Sequence, residues 1–194
     1  MEIGCGSGDL LYEAKIRGFS ISGIEISLSA AAQANEKLDG FYVRPTEDGN
    51  PTDVFDVMIL ADVIEHFRDP KKNLKHYASF IKTSGILFVT TPILDTMLAK
   101  VMGKHWVEYK PEHLFYFSKY SIQLILKDAG FTILAIEPNT KVLSLDYLTR
   151  HFIRFPVPVI TPFMILLQKL LPERILKIPF KMRTSSMNII AKKL

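Results

Sequence analysis

Three glycines spaced by two, Gly4, Gly6 and Gly8, follow an acidic and an apolar residue, Glu2 and Ile3, with Cys5 and Ser7 between them. Glycine tolerates positive φ and lets the main chain approach a ligand closely. A strand feeding such a turn, with a helix N-terminus behind it, forms the nucleotide-binding crevice of doubly wound α/β proteins. The dinucleotide spacing G-x-G-x-x-G would need its third glycine at position 9, which is Asp9. A carboxylate suited to the same ligand stands 17 residues after Gly8: Glu25 closes the run Gly23-Ile24-Glu25-Ile26. An acid at the end of an apolar strand is placed to accept hydrogen bonds from ribose hydroxyls. Acid–base work falls to the five histidines, because imidazole titrates nearest neutral pH. The histidines and Cys5 lack the spacing of a metal centre, and no Ser/His/Asp nucleophile pattern stands out.

These residues need alternating strands and helices to position them. The pattern predicts a helix over 9–17 ended by Gly18, a strand over 19–26 and a helix over 29–37 with a serine N-cap. A third strand covers 41–43, followed by the polar loop Thr46-Glu47-Asp48-Gly49-Asn50-Pro51. The apolar run 55–64 fits a central parallel strand. Asp69-Pro70 then supplies N-cap and N1 of a helix reaching about Lys82. A fifth strand covers 84–92, Ser118 caps a helix to Ala129, and strands 131–137 and 187–192 complete the sheet.

The G-x-G-x-G turn preceded by an acid resembles motif I of class I S-adenosylmethionine-dependent methyltransferases. The string F-D-V-x-x-x-x-D-V-I-E-H-x-x-D-P over 55–70 resembles, more specifically, the fourth-strand segment of ubiquinone-biosynthesis-type and related enzymes. Ser84–Pro92 is similar to their fifth strand, and Trp106 with Pro111–Ser118 to the segment over their active site, so the likeness runs in order from 2 to 137. It implies a Rossmann-like seven-stranded sheet, mostly parallel with the last strand antiparallel. The implied cofactor is S-adenosyl-L-methionine, held by Glu2, Gly4, Cys5, Gly6, Gly8, Glu25, Ile26 and Ala61, with Glu47 or Asp48 at the adenine. The acceptor is a small molecule, lipid-linked or amphiphilic. His113 is the candidate base, while His66 fits either that duty or the fixing of a loop. The rival readings are a degenerate or fragmentary methyltransferase fold acting as a binding protein, and a nicotinamide-dependent oxidoreductase, which Asp9 in place of the third glycine disfavours.

At 194 residues the chain fits one domain. A single cysteine excludes an internal disulfide and suits a reducing cytoplasm. The first residues show neither the basic nor the apolar region of a signal peptide. A first strand ending at Ile3 is unusually short, so a fragment lacking its N-terminal segment is expected. Between Lys141 and Arg183 eight basic residues face two acidic ones, a net +6, leaving 16 against 18 elsewhere. The basic pI therefore belongs to one segment and does not indicate nucleic acid. That segment, 141–183, is expected to be a helical insert before the last strand. One helical face holds Leu143, Tyr147, Leu148, His151, Phe152 and Phe155, and a second helix starts at Thr161-Pro162. Its apolar stretch is too short and proline-broken to span a bilayer. Two expectations stand side by side: peripheral contact with an anionic membrane or a greasy lid, and packing of the apolar faces on the sheet or a second subunit with the lysines as a solvated rim.

Overall fold

The computed structural model describes residues 1–45 and 54–194. The order of elements is β1 (Glu2–Ile3), α1 (Asp9–Ile16), β2 (Gly23–Glu25), α2 (Leu28–Leu38), β3 (Val43–Pro45), β4 (Phe55–Ala61), α3 (Pro70–Ala78) and β5 (Ile81–Pro92). The remainder is α4 (Met97–Met102), α5 (Lys119–Asp128), β6 (Phe131–Leu143), α6 (Leu145–Arg154), α7 (Ile160–Leu170), α8 (Glu173–Leu176) and β7 (Phe180–Lys193). The seven strands form one sheet in the order β3-β2-β1-β4-β5-β7-β6. All pairings from β3 to β5 are parallel, whereas β7 runs antiparallel to both neighbours, so β6 again points the same way as β5. The carboxyl ends of β1, β2, β4, β5 and β6 therefore share one edge. In open α/β sheets ligands bind outside that edge.

One face of the sheet is the more deeply buried: in β4 Met58 and Leu60 are fully buried, whereas Val57 is exposed and Ile59 only partly covered. Ile3, Ile24, Met58, Leu60, Val89 and Ile189 form its spine, joined by Leu74, Ile122 and Leu126 from the covering helices. A separate cluster of Cys5, Leu11, Ala31, Ala34, Leu38 and Val43 sits beneath the glycine turn. Gly23 closes that packing, since a Cβ there would lie 2.7 Å from Leu11 Cδ1 and 2.8 Å from Cys5 Sγ.

Several expected boundaries shift, each for a local reason. The N-cap of α2 is Ser27, whose hydroxyl accepts from the Ala30 amide, so the helix begins one residue earlier than read. β2 is only Gly23–Glu25, and the third strand is Val43–Pro45 rather than 41–43. Helix α3 stops at Ala78 instead of Lys82, because Ile81 already opens β5. The fifth strand, read as 84–92, begins three residues earlier at Ile81, and Ser84 within it takes φ 66°. Ser84 and Gly85 coincide with an irregularity in the β4–β5 register.

The largest correction concerns the insert. β6 runs on to Leu143 and β7 starts at Phe180, so both ends of the expected 141–183 insert are strand, paired Lys141 to Met182 and Leu143 to Phe180. The helices α6 to α8 lie between them. Val157, with Phe152 and Ile160 at the edge, packs them on the buried Trp106, Ala99 and Met102.

Candidate functional site

The glycine turn adopts the backbone its composition allows. Gly4, Gly6 and Gly8 have φ of 68°, 52° and 74°, a region costly for residues with a Cβ. At Gly4 that freedom also avoids a collision, since a Cβ would sit 2.6 Å from Val63 Cγ2. At Gly6 a Cβ would meet nothing among the described residues within 4 Å, which suits a close ligand approach there. Gly8 is the N-cap residue of α1, and Asp9 follows it, paired with Lys37 and receiving the Ser7 hydroxyl.

Glu25 ties the next strand to this turn. Its carboxylate accepts the Gly6 amide at 2.7 Å and the Ser27 amide at 2.9 Å, while the side chain is nearly buried. Both carboxylate oxygens thus hold main-chain N–H groups, and each keeps a lone pair for a further donor. Ile26, just after it, is exposed. Glu2 is buried with Oε2 unpartnered, and desolvation pushes its carboxyl up to about 7. Cys5 is buried, and burial pushes its thiol up to about 12, which removes it as a nucleophile. Ala61 ends β4, paired with Thr90. Glu47 and Asp48 lie outside the described residues.

The chain beyond β4 builds the other half of the site. Asp62 takes φ 55°, its amide donates to the Thr90 carbonyl, and its carboxylate lies 3.4 Å from Lys141 Nζ at the far end of β6. Strained non-glycine backbone at a strand's carboxyl end is a common mark of a functional loop. Val63 then packs over Gly4, and the following turn presents Glu65 and His66. Glu65 is buried: Oε2 receives the Thr91 hydroxyl at 3.0 Å, Oε1 has no partner among the described residues, and burial pushes the group up to about 7.

The loop carrying His113 is fastened to the same turn. The amides of Leu114 and Phe115 donate to the Glu65 carbonyl, and His66 Nδ1 lies 2.8 Å from the Glu112 carbonyl. A carbonyl only accepts, so the His66 proton sits on Nδ1, and this histidine fixes the loop. The His113 and His66 rings meet edge to face at 4.9 Å. His113 Nδ1 is buried without a partner among the described residues, and desolvation, then Lys110, then His66 hold its pKa below the ordinary histidine value. One ligand atom each from Glu65, His66 and His113 lies within 4.8 Å of the others, a separation a cation could bridge. The expectation of no metal centre was read from spacing along the chain alone, and this group is brought together by the fold. Spacing along the chain misses the group because its third member is 47 residues from the second. Asp62 was missed for a similar reason: its signal is a backbone angle, with only an acid after an apolar strand to announce it.

Strand order, a left-handed glycine turn on the first strand and an acid bonded to it from the second together define a class I S-adenosylmethionine-dependent methyltransferase fold. The chain belongs to the methyltransferase domain family, whose profile matches residues 1–136. It is 35% identical over 118 residues to a ubiquinone biosynthesis O-methyltransferase of Caulobacter vibrioides, covering 56% of this chain and 46% of that one. A protein of the same title from Nitrosomonas europaea is 24% identical over 176 residues, covering 75% and 71%. The chain thus spans about half the length of the first relative. Among solved structures, a SAM-dependent methyltransferase from Archaeoglobus fulgidus superposes with a TM-score of 0.62 at 23% identity, covering 99% of this chain and 84% of its own. Magnesium protoporphyrin IX methyltransferase from Synechocystis, solved with bound SAH, gives 0.60 at 18% identity, covering 100% and 73%.

Proposed function

We propose that this chain transfers a methyl group from S-adenosyl-L-methionine to a hydroxyl oxygen of a small amphiphilic acceptor, in the cytoplasm and at a membrane surface. The observation that carries the cofactor half is the buried Glu25 carboxylate bonded to the Gly6 amide, beside the open face of the turn. Glu25 holds the ribose hydroxyls there, and Gly6 gives the close main-chain approach. The O-methyl assignment is supported by the Caulobacter and Nitrosomonas relatives, both ubiquinone biosynthesis O-methyltransferases. The lipid-like acceptor class is supported by the greasy insert that leaves the sheet at its carboxyl edge.

The cofactor supplies an electrophilic methyl on a sulfonium, so the protein's task is alignment, dryness and proton removal. Transfer of that methyl to the acceptor oxygen would release the neutral thioether S-adenosylhomocysteine, and the acceptor's hydroxyl proton would pass to His113. Its lowered pKa keeps that imidazole neutral and able to take the proton at pH 7. His66 and the Glu65 carbonyl hold the loop that presents it. Calorimetric titration with S-adenosylmethionine and, separately, NADH tests the cofactor. Binding of the first alone is expected, binding of NADH would make it an oxidoreductase, and binding of neither would leave a binding protein. Labelled cofactor with a panel of hydroxylated amphiphiles then tests the acceptor.

A further inference from the structure

Helix α7 is apolar on two sides, and only one is used. Met164 is buried, and Ile160 packs at the edge of the Trp106 cluster. On the opposite side Val159, Phe163, Leu166 and Leu170 recur at intervals of four, three and four residues, the spacing of one helical stripe. They are 82%, 57%, 52% and 68% exposed. Val159 heads this stripe at φ 70°, an unfavourable angle for a β-branched residue. A run of large exposed side chains of this kind marks an interaction surface.

The charge around the stripe selects the partner. From Val159 to Arg183 there are five basic residues (Lys169, Arg174, Lys177, Lys181 and Arg183) against Glu173 alone, a net +4. Lys169 directly precedes Leu170, Arg174 follows on α8 and Lys177 is the C-cap residue of that helix. A second copy of the chain meeting this face about a two-fold axis would set the basic rim against itself. An anionic bilayer complements both features, because interfacial helices combine buried apolar area with attraction to acidic headgroups. No helix among the described residues is long and apolar enough to cross a membrane, so the contact is one of lying on the surface. Its place also fits: the insert is rooted where Lys141 reaches Asp62, at the sheet edge that binds ligands.

We infer that the outer face of α7 docks this protein on an anionic phospholipid surface, with Phe163, Leu166 and Leu170 inserted and Lys169 and Arg174 at the headgroups. It rests on the proposed function only for why an enzyme would dock there. The test is cosedimentation with vesicles of phosphatidylcholine, with and without phosphatidylglycerol, at low and high salt, with no cofactor or acceptor present. Failure of the docking and failure of the methyl-transfer reading are therefore separable. Binding selective for the anionic vesicles and weakened by salt is expected. Leu166→Glu should weaken it by about tenfold or more, and Lys169→Glu with Arg174→Glu should abolish the anionic selectivity. Both variants should keep their circular dichroism and cofactor titration, since the altered residues are exposed. No sedimentation with either vesicle overturns the inference, as does sedimentation indifferent to both variants. A dimer in sizing that Leu166→Glu dissociates would give the face to a second copy instead.

Discussion

Replacing Glu25 with glutamine separates what this carboxylate does for the turn from what it does for the cofactor. Its two oxygens accept two main-chain donors, the Gly6 amide at 2.7 Å and the Ser27 amide at 2.9 Å. Glutamine is isosteric but has a single acceptor oxygen, so one of these amides must face an NH2 group, donor to donor. Hydrogen bonds to charged groups contribute about 1.5–3 kcal/mol, and losing one in a buried setting costs at least that. For a chain of this size, a loss of that order lowers Tm by roughly 3–12 °C. The cofactor effect comes on top, because the same carboxylate is assigned the ribose hydroxyls. Losing that contact weakens S-adenosylmethionine binding about tenfold to a hundredfold.

The assay pairs thermal melting of the free protein with calorimetric titration of Glu25→Gln and Glu25→Ala, well below their melting temperatures. Alanine leaves both amides unpaired and should be the less stable of the two. A lower Tm with unchanged cofactor affinity would confine Glu25 to shaping the turn and remove it from the ribose. Unchanged Tm and affinity in the glutamine variant would refute the reasoning altogether.

Gly4 and Gly6 should respond differently to alanine. Gly6→Ala has room for its methyl and costs only about 1–2 kcal/mol of left-handed backbone strain, but it loses cofactor affinity. Gly4→Ala collides with Val63 and should show the larger fall in Tm; equal losses of stability would contradict the packing. Burial raises the Glu2 carboxyl from 4.5 to about 7, so the folded state holds a proton there that the unfolded chain releases. Its contribution to stability is thus fully present below about pH 4.5 and is lost as pH rises through about 7. Glu2→Gln should remove that part of the decline in urea-unfolding titrations and raise stability at pH 8; an unchanged pH profile would count against it. His113→Gln should lower kcat while leaving S-adenosylmethionine affinity unchanged. The wild-type rate should fall only on the acid side of the ordinary histidine range, because burial lowers this pKa. A full kcat in the variant would pass the proton to another group.

What could be read in the sequence was what the chain decides locally. The glycine turn, Glu25 and the run through β4 lie within a few residues of their determinants. The composition of Gly4–Gly8 and the Asp69-Pro70 cap pair needed no tertiary knowledge to place. Boundaries failed where two local signals compete. Ser84-Gly85 reads as the start of the fifth strand, yet β5 begins at Ile81, and the packing around Gly85 leaves no room for a Cβ. One there would meet Ile81 Cγ2 at 2.7 Å and the Lys82 and Asp56 carbonyls at 2.9 and 3.0 Å. The pair is therefore an irregularity inside β5. The insert was overextended because its basic residues dominate the composition of 141–183, whereas the pairing of Lys141 with Met182 across the β6–β7 ladder is a long-range fact.

The catalytic half of the site was the least legible, for a reason of the same kind. His113 stood out by its neighbours in sequence, but its environment is made by residues 47 and 48 positions upstream. Two carbonyls do the fastening: that of Glu65 receives the amides of Leu114 and Phe115, and that of Glu112 receives the His66 ring. The motif D-V-I-E-H thus carries a structural task in its main chain as well as whatever its side chains do. Substituting Glu65 would leave the two amide bonds intact and disturb only the buried carboxyl and its Thr91 contact. Substituting His66 would release one end of the loop and remove the edge-to-face partner of the His113 ring. The two halves of that motif are therefore distinguishable by which of them shifts the pH dependence of the rate.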